Sequence, residues 1–236
     1  MPYNFITNEQ YSVDFSKLFD EINKVDLLMS STIQKDYISK WMEVLKHHDN
    51  ALMDETATRE QREKIRRISN QEIETFQKST YWSTDVVLIH FRVTMIRQLI
   101  LESFTESNDP AEVIDIDEFT SPTRMIDWTP TDSEVSSFSK PNEPIIIVPF
   151  YSKNHNQLVI DGNHRLTNRV NNAQIDISAY SFAEQSVVDC KMCKSSFDLC
   201  YYLMNNELHR TAIAIHREKM SIEHALENSY LNKGLI

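Results

Sequence analysis

This 236-residue chain has two glycines, and one of them, Gly234, lies in the tail. Gly162 is therefore the one position in the body of the chain where the backbone can adopt positive φ, or be closely approached, at little cost. It follows the apolar run Leu158-Val159-Ile160 and precedes Leu166 and Val170, an i, i+4 pair suited to the inward face of a helix. A strand–glycine–helix junction aims the first unpaired N–H groups of the helix outward, and the helix dipole adds partial positive charge there. His164 and Arg165 supply side-chain donors, with Arg169 one turn further on, while Asp161 suits a divalent metal or an acceptor hydroxyl. The alternative is a tight turn with solvated charges, and local physics alone leaves both readings open.

The surroundings of this junction divide the chain by texture. Up to about residue 106 the pattern is helical: Phe15, Leu18, Phe19, Ile22 and Val25, then Ile33, Tyr37, Ile38, Trp41 and Leu45, recur at one-face helical spacing. A charged third helix is expected over 58–78, with Ile65, Ile68, Ile73 and Phe76 as its apolar positions. A fourth, over 84–104, is capped by Ser83-Thr84-Asp85 and is apolar enough all round to form the centre of a bundle. Ser107-Asn108-Asp109-Pro110 is a breaker cluster. It separates a helical lobe (1–108) from a segment (109–183) of short β-branched runs, and a helical extension (184–236) follows. Strands are expected at Val113–Ile116, Pro144–Tyr151, Gln157–Asp161 and Ile175–Phe182, the middle two forming a hairpin. Helices are expected at about 131–139 and 163–172, and Phe197, Cys200, Leu203, Met204 and Leu208 mark a last one. The fold class is α+β: a small mixed sheet with helices, an N-terminal helical lobe and C-terminal helices.

Composition excludes several functions. The most apolar stretch, residues 86–101, contains His90, Arg92 and Arg97 and is shorter than the roughly 20 residues of a membrane span. The start, MPYNFITNEQ, lacks the basic and apolar regions of a signal peptide. Cys190, Cys193 and Cys200 form neither a disulfide framework nor a recognised zinc spacing, and a reducing cytoplasm is the expected location. The net charge is −11. The basic run Arg59, Arg62, Lys64, Arg66 and Arg67 is interleaved with Glu60 and Glu63, so DNA binding is disfavoured.

The order of elements between residues 111 and 183, with Arg124 in a loop, Pro144-Ile145-Ile146-Ile147-Val148 as a strand and Asp161-Gly162-Asn163-His164-Arg165 as the turn, resembles the ParB/sulfiredoxin superfamily. Sulfiredoxins have a nucleophilic cysteine immediately after the motif glycine, where this chain has Asn163. Partition proteins have Glu-Arg-Arg there, together with a basic DNA-reading domain. The nearest pattern is the Asp-Gly-His-His-Arg turn of ParB-like free serine kinases, from which only Asn163 departs.

That resemblance implies a turn that binds the phosphates of ATP or CTP with Mg2+. Gly162, Asn163, His164, Arg165, Arg124 and Arg169 would hold phosphate, and Asp161 would hold the metal or orient the acceptor. His164 would act on the transferred phosphate, and Glu118 would be the base, with Asp115 and Asp117 close by in sequence. Strand alternation puts Asp115 and Asp117 on one face and Glu118 on the other. Three functions are compatible with this reading: a Mg-dependent phosphotransferase or nucleotidase, a nucleotide-switched interaction module, and a DNA-associated nuclease-like or mobile-element protein. The size of the helical lobe points to a protein partner or a homo-oligomer.

Overall fold

The computed structural model describes residues 2–71, 75–80, 82, 85–104, 108–131, 142–152 and 154–234. In chain order the first elements are β1 (Tyr3–Asn4), β2 (Glu9–Gln10), α1 (Phe15–Asn23), α2 (Ser31–Glu55), α3 (Arg59–Gln71), β3 (Phe76–Thr80) and β4 (Val87–Phe91). There follow α4 (Val93–Ser103), β5 (Glu112–Asp115), α5 (Asp117–Thr120), β6 (Ile126–Asp127), β7 (Ile145–Ser152), β8 (His155–Asp161), α6 (Asn163–Asn171), β9 (Asp176–Ser181) and α7 (Glu184–Asp189). The chain ends with α8 (Ser196–His216), α9 (Ile222–Glu227) and α10 (Tyr230–Lys233). The protein is thus mixed α+β, with small sheets and several helices. Among the described residues no helix is long and apolar enough to cross a membrane.

The chain forms two compact units, Met1–Phe91 with Cys193–Ile236, and Arg92–Met192. This division differs from the boundary at Ser107–Pro110 suggested by composition. The C-terminal helices belong with the N-terminal residues, and α4 belongs with the sheet.

In the first unit, α8 occupies the centre. Phe197, Cys200, Tyr201, Tyr202, Leu203, Met204 and Leu208 are all buried, and α8 packs against α2 and β4. Its start is fixed by a capping box, in which Ser195 Oγ accepts from Asp198 N and the Asp198 carboxylate accepts from Ser195 N. The other Asp198 oxygen lies 3.1 Å from His90 Nδ1, so that buried carboxylate joins α8 to β4. Of the helix expected over 84–104, only Val93–Ser103 is helical among the described residues. Val87–Phe91 is a strand paired antiparallel with β3, and helix begins only at Val93. The cause is a β-branched and aromatic run, Val86-Val87-Leu88-Ile89-His90-Phe91, which buries Val87, Ile89, His90 and Phe91 in the strand. Short apolar runs of this kind do not distinguish strand from helix by periodicity. Ser83, Thr84, Ile73 and the expected helix at 131–139 lie outside the described residues, apart from Thr131 itself.

In the second unit the sheet order is β5-β9-β7-β8-β6. β9 and β7 are parallel, as are β8 and β6, whereas β5/β9 and β7/β8 are antiparallel. The central strand β7 reads Ile145-Ile146-Ile147-Val148 and buries all four, as a strand covered on both faces must. On one face Phe119 of α5 and Leu166 of α6 pack with Ile145, Ile147, Val159, Ile177 and Ala179. The four expected strands and the helix after Gly162 are present within one to two residues. β6 was not anticipated, being too short to show a pattern.

Candidate functional site

Gly162 has φ 90° and ψ 15°, a left-handed conformation between the last residue of β8 and the first of α6. A Cβ there would overlap Ile145 Cγ2 and stand 2.8 Å from Arg165 Nη2. Glycine is thus required twice, by conformation and by the packing of a fully buried isoleucine against its Cα. The first helical bond runs from Leu166 N to Gly162 O at 2.9 Å. The backbone N–H groups ahead of Leu166 belong to the first turn, which is the positive end of the helix.

Asn163 anchors the neighbouring loop. Its Oδ1 accepts from Thr129 N at 2.8 Å and its Nδ2 donates to Val159 O at 3.3 Å. Thr167 Oγ1 donates to Asn163 O and accepts from Thr131 N, so residues 129–131 are fastened to the first turn of α6. This gives Asn163 a positioning role through its side chain. His164 is exposed at the start of the helix.

Among the described residues, two arginines and two carboxylates meet beside the turn. Asp161 Oδ2 accepts from Arg165 Nη2 at 3.2 Å and, in a shorter contact, from Arg97 Nη2 of α4. Glu143 Oε2 accepts from Arg97 Nη1 at 2.8 Å and lies 3.8 Å from Arg165 Nη1. Arg165 Nη2 also donates to Pro144 O, which ties the turn to the entry of β7. The side chains of Asp161 and Arg165 are 11% and 12% exposed, against 31% for Glu143. Two guanidiniums so close would repel strongly, and the two carboxylates offset that charge. Tyr180 of β9 lies within electrostatic range of this group. Partial burial and the hydrogen bond to Asp109 raise its phenol above the usual value, Arg97 opposes that shift, and Glu143 adds to it.

The other anticipated residues lie elsewhere. Met125 O accepts from Asn156 N and Gln157 N, so Arg124 stands at the start of β8. Gly162 follows the far end of that strand, roughly 15 Å or more away at about 3.3 Å per residue. Arg169, in the last turn of α6, donates to Asp176 O at 3.2 Å and braces β9. Glu118 is exposed on α5, whose Phe119 is buried in the core. Asp115 Oδ1 accepts from Asp117 N and starts that helix, so the strand alternation expected to run through 117 and 118 ends at Asp115.

Asp161, the expected magnesium ligand, is paired with two cations in this arrangement. Its Oδ2 is shared by two guanidiniums, and among the described residues no three His, Cys, Asp or Glu side chains converge. Arg97 and Glu143 were missed from sequence. Their signals were a cation within the apolar run of α4 and an acid just before Pro144, neither of which reveals a partner. Comparison with protein-family models, curated proteins and solved structures returns no match.

Proposed function

We propose that the unit Arg92–Met192 is a ParB/sulfiredoxin-like module that binds the phosphate groups of a nucleotide such as ATP or CTP at the Asp161–Arg165 turn. The observation that carries this reading is the left-handed Gly162 junction, which presents the N-terminus of α6 beside a fixed pair of guanidiniums. Helix N-termini and arginine guanidiniums both suit phosphate oxygens, the first by its dipole and free N–H groups and the second by bidentate donation. The order β5, α5, β6, β7, β8, turn, α6, β9 contains the opening strand, the hairpin, the turn, the helix and the last strand of the family pattern in sequence, which supports the resemblance.

Binding without turnover is favoured over phosphotransfer. Phosphoryl transfer needs a placed base and charge neutralisation at the transferred group. Here Asp161 is engaged by two arginines, which commits its Oδ2 to holding them rather than to an acceptor. A nucleotide-switched interaction module is accordingly the reading adopted.

Calorimetric titration with ATP, CTP and ADP, with and without magnesium, tests it. Saturable binding by a folded protein is expected, weakened in His164→Ala. Release of product from a labelled nucleotide would replace the switch with a nucleotidase or kinase. A DNA mobility shift at physiological salt without nucleotide binding would favour the nuclease-like reading.

A further inference from the structure

The four-charge group has an internal asymmetry. Each guanidinium directs Nη2 at the same oxygen of Asp161, and each has Nη1 nearest the same oxygen of Glu143. Asp161 ends a strand whose neighbours Ile160 and Val159 are buried, so its carboxylate is a fixed base beneath both arginines. Glu143 precedes β7, outside regular structure, and is nearly three times as exposed. It sits two residues before Ile145, whose side chain packs on Gly162, and its Oε2 lies 3.8 Å from Nη1 of Arg165 in the first turn of α6.

Resting on the nucleotide reading above, we infer that Glu143 is an internal competitor for the phosphate site and that Arg97 is one of its binding residues. The Glu143 carboxylate bridges the two Nη1 atoms, and a phosphate group presents oxygens able to make the same bridge. An incoming phosphate displaces Glu143 to solvent while Asp161 keeps both guanidiniums in place. No bond is made or broken. The exchange exposes two cationic edges next to the helix N-terminus, where a phosphate gains from all three donors. An ion pair with one partner a third exposed is weak enough for such an exchange.

The test is calorimetric titration of magnesium-free ATP and inorganic tripolyphosphate into wild type, Glu143→Gln, Arg97→Gln and Arg97→Lys, with thermal unfolding as the check on folding. Glu143→Gln should tighten both ligands about threefold, as removal of a part-exposed ion pair implies. Arg97→Gln should weaken them about tenfold or more, and Arg97→Lys should recover only part of that, since a lysine cannot bridge in the same way. Binding that is unchanged or weaker in Glu143→Gln overturns the competition, because a mere brace would loosen the arginines when removed. Unchanged binding in folded Arg97→Gln overturns the role of Arg97. If Arg97→Gln does not fold, the Lys variant and the Glu143→Gln arm decide. Binding by Glu143→Gln alone would support the inference strongly, whereas binding by neither it nor wild type sinks the nucleotide reading itself.

Discussion

The side chain of Ile145 packs where residue 162 would carry a Cβ, so the turn and the central strand of the sheet specify one another. Gly162→Ala combines a left-handed residue with an overlap in a packed core, and should cost the sheet-bearing unit about 2–4 kcal/mol. Urea unfolding of Gly162→Ala, Ile145→Ala and the double variant measures the relationship. The double variant should be less destabilised than the sum of the singles by about 1 kcal/mol or more, since truncating Ile145 makes room for the new methyl. Strict additivity would show that the turn relaxes elsewhere.

Asp161 is the lower brace of two guanidiniums. Asp161→Asn removes the less exposed of the two carboxylates that pair with Arg97 and Arg165 and leaves Glu143 alone against both guanidiniums, at an expected cost of about 2–4 kcal/mol. Asp161→Asn combined with Arg97→Met should recover part of that loss, because only one buried cation then remains. A double variant less stable than Asp161→Asn would show that Arg97 packs rather than pairs.

The parts of this architecture that can be read from sequence are those whose cause is local. The strand Ile145–Val148 is a continuous β-branched run, β8 ends at the one internal glycine, and α8 carries the apolar positions Phe197, Cys200, Leu203, Met204 and Leu208 at helical spacing. The β3/β4 hairpin was hidden because Val86–Phe91 runs straight into the apolar helix Val93–Ser103 with only Arg92 between them. The site was half legible for the same reason. Gly162, Asn163 and Arg165 are neighbours in sequence, whereas Arg97 and Glu143 reach Asp161 only through tertiary folding. Arg124 and Arg169 looked equally suitable by residue type, and strand register together with helix length sets them at other ends of the unit.

The cysteines offer a probe of local opening. Burial pushes the Cys193 thiol well above its usual range and the Cys200 thiol up to about 12, while Cys190 is partly exposed after α7. The thiolate is the reactive form. Labelling with an alkylating agent at pH 8 should therefore modify Cys190 first, and reach Cys193 and Cys200 only at the rate of opening of the α8 region. Mass spectrometry of digested samples reads this order directly. Equal rates at all three sites in native buffer would contradict the packing of α8.

Glu207, in the middle of α8, sets a pH dependence of stability. Its carboxylate accepts hydrogen bonds from Tyr37, from Trp41 Nε1 and from Tyr230 N, yet burial outweighs these donors and raises its pKa above the usual value. The folded protein therefore holds this proton more tightly than the unfolded chain does. Linkage then requires that the stability contributed by protonated Glu207 be fully present below the unfolded value of 4.5, and be lost as pH rises from there through the higher folded value. Glu207→Gln cannot titrate, and its amide leaves one of the N–H donors without an acceptor, so the variant should be the less stable protein at low pH. Thermal unfolding of both proteins across this window should show the advantage of wild type shrinking as pH rises. An advantage that grows with pH would mean that Glu207 is held as a carboxylate by its three donors, with burial the weaker influence.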